Sequence, residues 1–124
     1  MQTAKHPVHL NLLQIRLPIA GVMSILHRLC GALLFLFLPA FSWLLHASVS
    51  DADAWEAIVA WLITPFGRIF LILSLWALLH HLLAGIRYLL LDLDLGVDRP
   101  AYRQSAWAVV FAAPLMALLI GVLL

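Results

Sequence analysis

Two segments of this chain set chemically capable side chains in otherwise apolar surroundings: "SILHR" at residues 24–28 and "HHLLAGIRYLLLD" at residues 80–92. On a helix, His81, Ala84, Gly85 and Tyr88 follow the spacing i, i+3, i+4, i+7 and share one face. That face carries a ligand-capable nitrogen beside a missing side chain. A glycine one turn from a histidine lets a flat macrocycle or another helix approach the backbone, and neutral imidazole is a frequent axial ligand of haem iron. His80 is rotated by about 100° and points elsewhere. In the first segment Ser24 precedes His27 and Arg28 by one turn, with Gly31 on the same side. A hydroxyl and a guanidinium so placed can hydrogen-bond a quinone carbonyl and stabilise the negative charge that develops on reduction. His27 and Arg28 are equally suited to the carboxylates of haem propionates.

The same residues have plainer readings. His46 and His80 can pack or snorkel near helix ends. Ser24 and Gly31 can be small residues at a helix contact, and Arg28, Arg68 and Arg87 orientation anchors. Arg87 and Asp92, five apart near a helix end, read as a solvated charge pair of little energetic weight. Cys30 and the methionines read as filler. With one cysteine the chain has no internal disulfide, no CxxC and no CxxCH, so any haem is held non-covalently.

These groups need scaffolding, and composition says where it lies. The chain has 124 residues, 65% of them hydrophobic and only 10% charged, against about 25% charged in soluble domains. It belongs in a bilayer. A net charge of +1 excludes recruitment of nucleic acid by bulk charge. No secretory leader or transit peptide is expected, because no charged n-region, apolar h-region and cleavage site follow one another.

Three apolar stretches of about 20 residues can cross the hydrocarbon: residues 29–49, residues 69–86 with a helix continuing to about 93, and residues 105–124. With their extensions the helices are expected at approximately 22–49, 66–93 and 104–124, in one anchor domain over 1–124. Pro39 and Pro114 fall inside spans, where a helix can bend and survive. Between the first two spans, Ser50 or Asp51 offers a cap for a short amphipathic helix that breaks around Pro65 and Gly67. Lys5, Arg16, Arg28, Arg87, Arg99 and Arg103 fall on one side and Arg68 alone on the other, which predicts a cytoplasmic N-terminus. Trp43, Trp55 and Trp61 then lie near the outer interface and Trp107 near the inner one. In this arrangement "SILHR" and "HHLLAGIR" reach the same membrane depth although about fifty residues of sequence lie between them. The expected fold is therefore all-α: three transmembrane helices with an N-terminal amphipathic arm.

Taken together, "HPVHLNLLQIRLPIAGVMSILHR", three spans and "HHLLAGIRYLLLD" resemble the cytochrome b556 subunit family of succinate dehydrogenase over essentially the whole chain. That family carries an N-terminal Arg-Pro, a Ser-x-x-His-Arg motif opening its first span and a His-x-x-x-Gly-x-Arg-His-x-x-x-Asp motif closing its second. The resemblance implies that His81 is an axial ligand of a b-type haem, that His27 and Arg28 lie near its propionates, and that Ser24 and Arg28 line a ubiquinone site. It also implies a multi-pass protein of the bacterial inner membrane. Its partners would be a second small anchor subunit supplying the other haem ligand, an iron–sulfur subunit and a flavoprotein subunit that oxidises succinate. The chain itself has no flavin motif or cysteine cluster and is non-catalytic alone. Two positions depart from the pattern: His6 replaces the arginine of Arg-Pro, and Tyr88 replaces the histidine after Gly-x-Arg, where its hydroxyl can donate only one hydrogen bond. Two other readings remain open at this stage: the anchor of a quinol:fumarate reductase, and a structural bundle whose histidines only pack helices.

Overall fold

The computed structural model of the chain describes residues 17–124 and is helical apart from short connections among them. The expected amphipathic arm, with Lys5, His6 and Arg16, lies outside the described residues. Four helices follow in order: α1, Ile19–Ser50; α2, Ala52–Leu62; α3, Pro65–Asp92; and α4, Arg99–Leu123. The three long ones are long and apolar enough to cross a membrane. At 1.5 Å per residue the 32 residues of α1 measure about 48 Å, more than the roughly 30 Å of hydrocarbon, so its ends reach the headgroup regions. Both α1 and α4 continue through their internal prolines, Pro39 and Pro114.

Local chemistry sets the ends. The Asp51 carboxylate accepts from the Asp53 amide and caps α2. The next break falls at Ile63–Thr64, earlier than the sequence suggests, because Thr64 caps α3 through the Gly67 amide at 3.2 Å. Pro65 then occupies the first turn of α3, where its missing N–H costs nothing. The far end of α3 closes with paired bonds, Leu95 N–H to Leu90 C=O at 2.9 Å and Asp94 N–H to Leu91 C=O at 3.0 Å. This Schellman geometry needs a left-handed residue; Asp94 supplies it with φ of 60°.

α3 is the central element and packs against both α1 and α4. Ser74, Ala77, His80, Ala84 and Arg87 form its buried stripe. Facing them, α4 buries Ala106, Val109, Ala113, Ala117 and Gly121. Lipid chains compete equally for apolar side chains, so association in a membrane depends on close backbone approach, and small residues permit it. Gly121 shows the limit: a Cβ there would run into the Ile72 side chain. At the same end Arg68 donates to the Gly121 carbonyl at 3.1 Å, meeting a C-terminal carbonyl of α4 with positive charge. By contrast α1 buries only Met23 and Cys30.

Replacing Asp94 with glycine should stabilise the protein by about 0.5 kcal/mol, the relief of a left-handed non-glycine residue less the added unfolded-state freedom of glycine. Thermal unfolding of the detergent-solubilised protein reads this as a higher midpoint; a lower one contradicts the cap geometry.

Candidate functional site: a histidine pair at the α1–α3 crossing

Gly31 of α1 and His81 of α3 meet where the two helices cross. A Cβ on Gly31 would stand 2.9 Å from Cε1 and 3.1 Å from Nδ1 of His81, so the imidazole lies directly on the α1 backbone. From there Nδ1 meets the His27 carbonyl at 3.2 Å. A carbonyl only accepts, so Nδ1 carries the proton and donates it. The neutral ring then keeps its lone pair on Nε2, the tautomer that a metal requires, held by a backbone acceptor as metal-ligating histidines usually are.

The contact is reciprocal. The His27 ring stacks on His81, with centroids 4.2 Å apart and planes 3° from parallel, and a Cβ on Gly85 would meet His27 Nε2 at 3.9 Å. Each helix thus offers a glycine to the other's histidine. Tyr88 stands edge-on to His27 at 5.3 Å. The structure therefore brings His27, His81, Gly31, Gly85 and Tyr88 into one cluster from two helices.

Ser24 and Arg28 lie one turn apart on α1. Ser24 is half-buried and Arg28 exposed, so the pair opens to the surroundings while the histidines are held between helices. Beyond Gly31, away from Ser24, α1 and α3 enclose an apolar groove of about 620 Å³. Leu34, Leu38 and Phe41 line one wall and Ser74, Leu75 and Leu78 the other.

Adjacent histidines have opposite surroundings. His80 is wholly buried, and neither ring nitrogen has a partner among the described residues. Trp76 lies 6.2 Å from it. Its ring has no exposed edge, whereas the His81 ring is only half-buried.

Arg87 departs from expectation. Sequence reading makes it a headgroup anchor or a solvated partner of Asp92; instead it is 5% exposed. Its Nε donates to Ser105 Oγ at 2.9 Å and Nη2 to the Tyr102 carbonyl at 2.9 Å. The guanidinium lies 4.5 Å from the Tyr102 ring centroid. The available signal was its register: Arg87 stands seven residues after His80 and three after Ala84, on the α3 stripe that faces small residues of α4.

Residues 2–121 match the family described as succinate dehydrogenase/fumarate reductase transmembrane subunit. Among curated proteins the chain is similar to three named succinate dehydrogenase cytochrome b556 subunit. The one from Coxiella burnetii is 34% identical, covering 96% of each chain. That from Paracoccus denitrificans is 33% identical, over 91% of this chain and 87% of its own. That from Rickettsia bellii is 31% identical, over 95% and 92%.

The two glycines should respond unequally to a methyl group. Gly31→Ala is expected to displace the His81 ring and cost about 1–3 kcal/mol as overpacking. Gly85→Ala, whose added carbon meets only an ordinary contact, should stay within roughly 0.5 kcal/mol. Unfolding of the two variants in detergent checks this, and equal losses would contradict the crossing described.

Proposed function

The chain belongs to the succinate dehydrogenase/fumarate reductase transmembrane-subunit family, and from that premise we propose that it shares a b-type haem with a second anchor subunit and contributes to a ubiquinone reduction site. It is a membrane-anchor cytochrome b subunit of succinate dehydrogenase, multi-pass in the bacterial inner membrane. The observation that carries the haem assignment is His81: its Nδ1–H donates to the His27 carbonyl, leaving Nε2 for iron.

The residues present fit a haem. The Gly31 backbone lets the His81 imidazole lie between the helices, the adjoining groove is apolar, and among the described residues at this end of the bundle one imidazole rather than two is suitably placed, because His27 is stacked on His81 and His80 is enclosed. The second axial ligand then comes from the partner anchor. When bound, the haem supplies a one-electron carrier and a link between the two anchors.

Ubiquinone reduction takes up two electrons and two protons. The exposed Arg28 favours the anionic reduced forms by its charge, and the Ser24 hydroxyl donates to a quinone carbonyl and orients it. His27 and Arg28 are suited to the haem propionates. The positive-inside asymmetry supports a reading with this end of the bundle at the cytoplasmic surface. A flavoprotein subunit oxidising succinate and an iron–sulfur subunit passing electrons to the quinone would dock there.

In the purified complex, His81→Ala should abolish the b-type visible band with the subunits still assembled; an unchanged spectrum would remove the haem assignment. Separately, Ser24→Ala should lower succinate:quinone reductase activity about tenfold, the worth of one hydrogen bond, and Arg28→Leu by roughly a hundredfold, each with the haem retained. Wild-type rates in both variants would move the quinone site elsewhere.

A further inference from the structure

Arg87 is a buried cation whose counter-charge is not in this chain. The sequence has six acidic residues. Asp51, Asp53 and Glu56 belong to the α2 end of the bundle, while Asp92, Asp94 and Asp98 are exposed in or beside the α3–α4 connection. The hydrogen bonds of Arg87 go instead to a hydroxyl and a carbonyl, both neutral. Residues 1–16 contain no aspartate or glutamate at all. The third guanidinium nitrogen, Nη1, is buried without a partner among the described residues, so the charge is neither neutralised nor fully hydrogen-bonded there.

Burial makes this charge act at a distance. Arg28, Arg99 and Arg103, at the same end, are exposed and are screened by water and salt; Arg87 is 5% exposed and is screened much less. It is also close to the histidine pair. Along α3 the six residues from His81 to Arg87 rise about 9 Å. Aromatic contacts bridge the interval: Arg87 to Tyr88 at 5.9 Å, Tyr88 to His27 at 5.3 Å and His27 to His81 at 4.2 Å.

We propose that Arg87 is a positioning charge that raises the reduction potential of the haem held at His81, an inference that rests on the haem reading above. The oxidised haem carries one more positive charge than the reduced form, and uptake of one electron removes it. A weakly screened cation nearby therefore disfavours the oxidised state. At a separation on the order of 10 Å and an effective dielectric of about 20, one unit charge shifts the one-electron equilibrium roughly tenfold, or ~59 mV. The hydrogen bonds to Ser105 and Tyr102 hold the charge in place, and they also join α3 to α4.

Potentiometric titration of the b-type band in the assembled complex tests the proposal, because it reads charge rather than packing. Arg87→Gln should lower the potential by about 59 mV, the tenfold shift for one electron. Arg87→Lys and Ser105→Ala, which keep the charge, should titrate with the wild type. Ser105→Asp places a carboxylate against the Arg87 Nε position without removing the guanidinium and should lower the potential as Gln does; it decides the matter if Arg87→Gln fails to assemble. A wild-type potential in haem-retaining Arg87→Gln or Ser105→Asp overturns the proposal. So does a shift in Ser105→Ala as large as that in Arg87→Gln, which would assign Arg87 a packing role alone. Absence of any b-type band in the wild-type complex is a distinct outcome: it removes the haem reading itself and this inference with it.

Discussion

The hydrogen bond from His81 Nδ1 to the His27 carbonyl is the interaction on which the site turns. It requires α1 and α3 to approach until an imidazole rests on peptide backbone, and only a glycine at residue 31 leaves that space. Once made, the bond settles three things together: the ring's orientation, its tautomer and the nitrogen left for a ligand. An imidazole in hydrocarbon needs such a partner, since an unpaired polar group there is costly. The same constraint that keeps the histidine in a membrane thus prepares it to bind.

Polar groups along α3 are sorted by register. Arg87 turns toward α4, where Ser105 and Tyr102 hold it, whereas His81, Gly85 and Tyr88 turn toward α1. One helix in this way separates a face that presents an imidazole to α1 from one that buries a cation against α4. Apolar residues surround α3 on nearly all sides, so its two faces differ less in hydrophobicity than in size and hydrogen-bonding capacity. In lipid, where water does not sort side chains, those are the properties that decide packing.

Exposure is distributed just as unevenly. α1 leaves Phe35, Leu36 and Trp43 mostly exposed, a state that is ordinary against lipid and equally suited to a second anchor subunit. Ser24 and Arg28 lie on this less covered helix, while the histidine pair is held between helices.

The all-α membrane fold was legible in the sequence, because runs of about 20 apolar residues have few alternatives in a bilayer and the helix period groups neighbours such as His81 and Gly85 without knowledge of any partner. The α2–α3 junction was less so: Pro65 reads as a breaker, yet at the first turn of a helix the same ring is a starter, and the Thr64 cap decides between them. Tertiary structure alone decided which residues of α1 meet which of α3, the donor role of His81 Nδ1, and the burial of Arg87 against Ser105 and Tyr102. Periodicity assigns a residue to a face of its own helix. What that face touches depends on crossing geometry, and crossing geometry depends on small residues far away in sequence.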